Sequence, residues 1–160
     1  MLMTAADYRE SLRALKPRVF VNGRQVASVA DEPLLAPGIN AIGVTYDFAH
    51  RPEYAALMTA TQQGTGRLAN RMLHVNGNRD DLLAKLEAVR LVCRESGCAQ
   101  RYLAHDALNA LHQGTKLADD VHGGERHQRF LAYLDDVQAR DLTLGIAMTD
   151  AKGDRSARPG

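Results

Sequence analysis

The spacing of apolar residues in the second half of the chain constrains its fold more than any other feature. Behind a cap signal at Asn78 and Asp81, Leu82, Leu83, Leu86, Val89 and Cys93 recur at intervals of three and four residues. Phe130, Leu134 and Val137 repeat the pattern further on. Side chains so spaced share one face of a helix, whereas in a strand they would scatter over both faces. The pattern predicts packed helices, each burying one apolar stripe. Gly97 ends or bends the first. A second is expected from Cys98 to about Leu111, and the polar run DDVHGGE separates it from a third, RHQRFLAYLDDVQARD.

The first half is more broken. Thr4 and Asp7 read as an N-cap and its acidic third position, with Tyr8, Leu12 and Leu15 on one helical face and Pro17 as a stop. Two β-branched runs flank Asn22-Gly23, a dipeptide that tolerates the positive φ of a hairpin turn. The stretch ADEPLLAPGIN is expected as a loop, followed by helical spacing through Ile39, Ile42, Tyr46 and Ala49. Pro52 suits the first turn of a further helix, EYAALMTATQQ, running out at Gly64. The segment LTLGI alternates briefly like a strand before a polar glycine loop. The fold class expected is mainly α, one domain over residues 1–160, with a small hairpin near the start.

Composition narrows function by exclusion. The charged fraction is 24% with a net charge of +1 and no basic stripe, which argues against nucleic acid as a partner. No apolar stretch is long enough for a membrane span, and the first residues carry Asp7 and Glu10 instead of a signal-peptide core. Two cysteines are too few for a disulfide scaffold. A cytoplasmic protein with reduced thiols is the expectation.

Four groups of residues carry possible chemistry. Cys98, Tyr102, His105, Asn109 and His112 fall on one stripe of their helix, opposite Leu103, Ala107, Leu108 and Leu111, which are expected to pack inward. A thiol, a phenol, two imidazoles and an amide can bind a substrate or ligate a metal, although most amphipathic helices have a polar side of this kind. Cys93 and Cys98 lack zinc or cluster spacing, and Cys93 reads as a core thiol. Asp119, Asp120, His122 and His127 read as a hydrated loop more readily than as a metal site. Gly64-Thr-Gly66-Arg-Leu-Ala69 spells a dinucleotide fingerprint but lacks the buried strand and helix that make one work. Met148 to Arg155 offers backbone N–H groups at a glycine, a hydroxyl, Lys152 and Arg155, a set able to hold an anion or the polar edge of a cofactor.

The segments INAIGVTYDFA, RYLAHDALNAL, FLAYLDDVQARDL and AMTDAKGDRSARP, in that order, resemble the amino-terminal domain of the 4-hydroxyphenylacetate 3-hydroxylase / 4-hydroxybutyryl-CoA dehydratase superfamily. The flanking wording is nearer the dehydratase-like branch. The resemblance implies an acyl-CoA-dehydrogenase-like helical domain, normally followed by a β-barrel and a helical bundle that tetramerises. Neither is expected within this chain, so the missing domains or a partner chain would complete the enzyme. It also implies that Met148, Thr149, Asp150, Ala151, Lys152, Gly153, Asp154 and Arg155 contact FAD, with Ala151 where proline is usual. Cys98 matches one cysteine ligand of the dehydratase 4Fe–4S cluster, but Tyr102 stands where the second belongs. One thiolate cannot hold a cluster. The hydroxylase branch instead uses reduced FAD and oxygen on a phenol, with an arginine and a tyrosine near the substrate. Tyr102 fits that pattern, Arg101 lies beside it, and His105 completes the candidate catalytic set. Three functions follow as expectations: a flavin-dependent dehydratase (a lyase) acting on a hydroxyacyl-CoA, an aromatic monooxygenase, and a fragment active only with a partner.

Overall fold

The computed structural model describes residues 1–62, 64–98, 101–147 and 153. Helix α1 spans Ala5–Leu15. Thr4 Oγ1 accepts the Asp7 N–H at 3.1 Å, and the Asp7 carboxylate accepts the Thr4 N–H at 2.8 Å. This reciprocal cap satisfies two N–H groups that the helix itself cannot. Lys16, with φ at 45°, turns the chain out before Pro17. Strands β1 (Phe20–Val21) and β2 (Arg24–Gln25) form the expected antiparallel hairpin, with positive φ at both Asn22 and Gly23.

Helix α2 (Ala36–Asp47) begins earlier than the sequence suggests, because Pro37 is accommodated in its first turn, where no intrahelical N–H is needed. Helix α1 packs on α2. Gly43 makes the close approach possible: a Cβ there would lie 3.0 Å from Ala5 Cβ.

Helix α3 (Pro52–Met58) is shorter than expected. The chain turns extended at Thr59 and enters a second hairpin, β3 (Thr59–Thr61) with β4 (Leu68–Asn70). Threonines at 59 and 61 suit a strand better than a helix end, and the pairing partner lies only a few residues on. The glycine fingerprint is the turn of this hairpin, with Gly66 at φ 67°, so no helix opens there and the dinucleotide reading fails.

Helix α4 runs over Arg79–Ser96, α5 over Tyr102–His122 and α6 over Arg126–Ala139. Helix α5 is longer than expected, continuing past Leu111 to the glycines at 123 and 124. Residues 142–147 form no strand, since no neighbouring strand offers them a ladder.

Among the described residues, three clusters make the core. Phe48, Met58, Met72, Ala88 and Val92 join α2, α3 and α4. Leu73, Leu108, Phe130, Leu134 and Val137 join α5 to α6. Tyr8, Ile39 and Tyr46 seal α1 on α2. Each large apolar side chain so buried stabilises the fold by about 1.5–3 kcal/mol.

The helix faces depart from the expectation in one consistent way. Helix α4 turns Lys85, Ala88 and Val92 inward, leaving Leu82, Leu83, Leu86 and Cys93 exposed. Cys93 is therefore not a core thiol. Helix α5 buries Ala104, His105 and Leu108, while Leu103 and Leu111 are exposed. Of the polar stripe His105 is buried and Tyr102, Asn109 and His112 are half-buried, whereas Cys98 is exposed and the apolar Leu103 and Leu111 face out.

Candidate functional site at the start of α5

Gly97, at φ 70°, closes α4 by donating its N–H to Cys93 O at 2.9 Å. That left-handed cap turns the chain back toward α5 and leaves Cys98 exposed at the bend.

Arg101 stands at the head of α5, 1% exposed. Its Nη2 donates to Asp141 Oδ1 at 2.9 Å and to Leu142 O at 3.0 Å. Its guanidinium lies 4.2 Å from the centre of the Tyr46 ring. Asp141 is 0% exposed, and its other oxygen accepts the Met3 N–H at 3.0 Å. Tyr46 donates its hydroxyl hydrogen to Asp141 O at 2.9 Å and lies 2.7 Å from Thr143 Oγ1. The expected substrate-facing arginine is thus an interior one, tying α2, α5 and the segment after α6 together.

Tyr102 is half-buried and sits beside Lys85 of α4, whose Nζ is 5.8 Å from the ring centre. Lys85 in turn pairs with Asp106 at 2.7 Å. The phenol, ammonium and carboxylate therefore come together where α4 and α5 meet. Sequence reasoning missed Lys85 and Asp106, because each reads as an ordinary surface charge.

His105 is 1% exposed, with Nδ1 3.0 Å from Arg71 O. A carbonyl partner fixes the tautomer: Nδ1 carries the hydrogen, and Nε2 keeps a lone pair with no hydrogen-bond partner among the described residues. Burial pushes the imidazole pKa down to about 4, against a smaller upward effect of the Arg71 carbonyl. It is neutral at physiological pH. Nearby, His74 Nε2 lies 3.3 Å from Asp81 Oδ2, near enough for attraction but poorly aligned for a hydrogen bond. Asn109 accepts the Asn76 N–H at 2.8 Å and donates to His74 O at 3.1 Å, so it acts as a brace.

His112 lies one turn further along. Burial lowers its pKa, helped by the nearby His127 ring at 4.9 Å between centres. With Gln62, Thr65, His74, Leu134 and Gln138 it lines a cavity of about 480 Å³ between β3–β4 and α6. Of the acidic and histidine group beyond it, Asp119 accepts from Arg126 at 3.1 Å and from the His127 N–H at 2.8 Å. It ties the α5–α6 turn. The expected cofactor loop lies outside the described residues except for Gly153, which is exposed.

The described residues contain no group of three or more His, Cys, Asp and Glu side chains able to hold a metal ion. Cys98 brings a single thiol to its bend, and a four-ligand iron–sulfur cluster does not fit that donor set.

The family model described as 4-hydroxyphenylacetate 3-hydroxylase N terminal matches residues 4–160. This chain belongs to that family. Within it, the chain is 39% identical over 160 residues to 4-hydroxybutyryl-CoA dehydratase/vinylacetyl-CoA-Delta-isomerase of Clostridium aminobutyricum, covering 99% of the chain and 33% of the relative. It is 24% identical to the oxygenase component of 4-hydroxyphenylacetate 3-monooxygenase of Thermus thermophilus, covering 99% of the chain and 32% of that protein. Among solved structures, an oxygen-tolerant archaeal 4-hydroxybutyryl-CoA dehydratase from N. maritimus superposes with a TM-score of 0.91 at 40% identity, over 99% of this chain and 31% of that one. The monooxygenase oxygenase component shares the fold, with a TM-score of 0.77 at 20% identity, over 98% of this chain and 33% of that one. The fold is that of the family's amino-terminal helical domain, and the sequence is nearer the dehydratase than the hydroxylase. The chain spans about a third of the length of these relatives.

Proposed function

We propose that this chain is the amino-terminal part of an FAD-dependent enzyme of 4-hydroxybutyryl-CoA dehydratase type, removing water from a hydroxyacyl-CoA. The observation that carries the reading is the 39% identity to such an enzyme across 99% of the chain. The residues beyond the match in the relatives, or a partner chain supplying them, complete the site, and the full enzyme is a homo-oligomer.

In this reading Met148 to Arg155 contact FAD, which supplies electron transfer when bound. Arg101 is a positioning residue. Through Asp141, Leu142 and Tyr46 it holds residues 141–143 in place a few positions ahead of the cofactor loop. A firmly held stem suits a loop that must present N–H groups to a ligand at fixed positions. Tyr102 faces substrate, with Lys85 and Asp106 setting the charge around its phenol. His105 stays neutral, and its bare Nε2 is an acceptor.

Joining the chain to the remaining two thirds of the N. maritimus dehydratase tests the proposal. Flavin absorbance and dehydration of a hydroxyacyl-CoA are expected, and a folded assembly without yellow flavin overturns it.

The tyrosine at position 102 favours a second reading, an aromatic hydroxylase using reduced FAD and oxygen. The same assembly would then hydroxylate a phenol and lose that activity in Tyr102→Phe. A third reading, a fragment that acts only with a partner chain, draws on the one-third coverage of the relatives. It requires that no activity appears until the partner is added.

A further inference from the structure

One face of α6 lines the cavity that His112 borders. Leu131, Leu134, Asp135 and Gln138 are spaced by three, one and three residues, which puts them on one side of the helix. The β3–β4 turn at Gly64 and Thr65 supplies a further wall. The volume, about 480 Å³, falls within the range of small-molecule sites. His112 stands about 15 Å along α5 from Tyr102, and none of Arg101, Tyr102 and His105 lines the cavity.

Two glutamines in a fixed orientation form part of the lining. Gln62 and Gln138 are 5% and 8% exposed. Gln138 Nε2 donates to Leu73 O at 2.7 Å. A carbonyl only accepts, so this bond sets which end of the amide is nitrogen. Gln138 Oε1 then accepts from Gln62 Nε2, and Gln62 Oε1 accepts the Thr65 hydroxyl. A primary amide carries two N–H donors and two carbonyl lone pairs. Among the described residues each glutamine has used one of each, and each keeps one N–H and one lone pair side by side. Buried polar groups with capacity to spare call for a partner.

The other lining residues narrow the chemistry of that partner. Val75, Leu131 and Leu134 give apolar walls, and His112 adds a flat ring whose pKa burial lowers, so it is neutral at physiological pH. Such walls suit a planar, uncharged ring. Asp135 is a carboxylate in the lining, its partner Arg67 lies outside it, and no lysine or arginine joins it there. An unmatched negative charge repels phosphate and carboxylate groups, while it accepts hydrogen bonds from hydroxyls.

We infer that this cavity is a binding site for an uncharged purine nucleoside of adenosine type. Adenine presents an amine donor beside a ring-nitrogen acceptor, the pattern that a glutamine amide meets with its oxygen and its N–H. The apolar walls take the faces of the purine, and Asp135 suits the ribose hydroxyls. Hypoxanthine places a carbonyl where adenine has the amine, so a glutamine oxygen would face a second acceptor. The inference stands apart from the flavin reading, since none of its residues belongs to the loop assigned to FAD.

Calorimetric titration of the chain with adenosine, inosine and AMP tests it. Adenosine is expected to bind with a Kd below about 1 mM, and inosine at least about ten-fold more weakly, because the wrong edge strands a buried amide. AMP should bind about ten-fold more weakly than adenosine, and Asp135→Asn, at a half-exposed position, should remove most of that difference. Gln138→Leu should abolish adenosine binding, but it also leaves the Leu73 carbonyl bare. Leu131→Trp is the second variant: it fills the cavity from an exposed position, and should abolish binding with an unchanged melting curve. Absence of heat with adenosine in the folded chain overturns the site, as does equal binding of inosine or binding that survives Leu131→Trp. The same titration on the chain joined to the remaining two thirds of the N. maritimus dehydratase separates this site from the cofactor. Adenosine uptake by a yellow assembly supports both readings, and uptake without flavin supports the site while overturning the proposed function. Displacement of adenosine by FAD assigns the cavity to the cofactor's own adenosine and overturns the inference.

Discussion

Arg101 and Asp141, forty residues apart, meet as an ion pair 2.9 Å long in which neither side chain is more than 1% exposed. Removing two charges from water is costly, and this pair offsets the cost with further partners: Met3 N–H on the carboxylate, and Leu142 O and the Tyr46 ring on the guanidinium. Deleting one partner leaves the other charge buried alone. Asp141→Ala is therefore expected to destabilise the chain by about 3–5 kcal/mol in urea unfolding. A loss under about 1 kcal/mol would show that water reaches Arg101 freely.

The low pKa of His105 makes stability depend on acidity. Its folded value, about 4, lies below the ordinary 6.5, so between these values the unfolded chain binds a proton that the folded chain refuses. Stability should fall as pH drops from about 6.5 to 4, by on the order of 2–3 kcal/mol from this group, then level off. His112 shifts in the same direction and adds to the slope. Unfolding at a series of pH values checks this, with His105→Asn expected to flatten the profile. An NMR titration midpoint near 6.5 for His105 would contradict it.

The closeness of α1 and α2 at Gly43 is a tolerance of tenths of an ångström. A Cβ would sit 3.0 Å from Ala5 Cβ, so a branched side chain must push the helices apart. Gly43→Val should cost about 2 kcal/mol in thermal or urea melts, and Ala5→Gly should recover part of the loss. Equal stability of the valine variant would mean that α1 shifts without penalty.

Tyr102 separates function from fold. Its hydroxyl has no described role in the core, so Tyr102→Phe should change stability by no more than about 0.5 kcal/mol. In the assembled enzyme the same substitution should lower activity while flavin absorbance is retained. Loss of stability and activity together would make the residue structural.

Much of this protein was legible in its sequence, for identifiable reasons. The Thr4 cap, the Asn22-Gly23 turn and the Gly97 stop depend on a few neighbouring residues and hold whatever surrounds them. The family was legible because several segments agree in order along the chain. The short α3 and the β3–β4 hairpin were not, since Thr59 pairs with Asn70 only once both are in place.

Which way α4 and α5 face was decided by tertiary structure alone. Periodicity says that Leu82, Leu86 and Val89 share a side, and cannot say whether that side meets this domain or another. His105 turns inward because the Arg71 carbonyl awaits it there, and Lys85 lays its stem against the domain while its ammonium reaches Asp106 at the surface. Arg101 reads as a surface charge or a catalytic group until Asp141 is found beside it, and no spacing rule links residues forty apart. Local chemistry determined the elements, and long-range pairing determined which of their faces became interior.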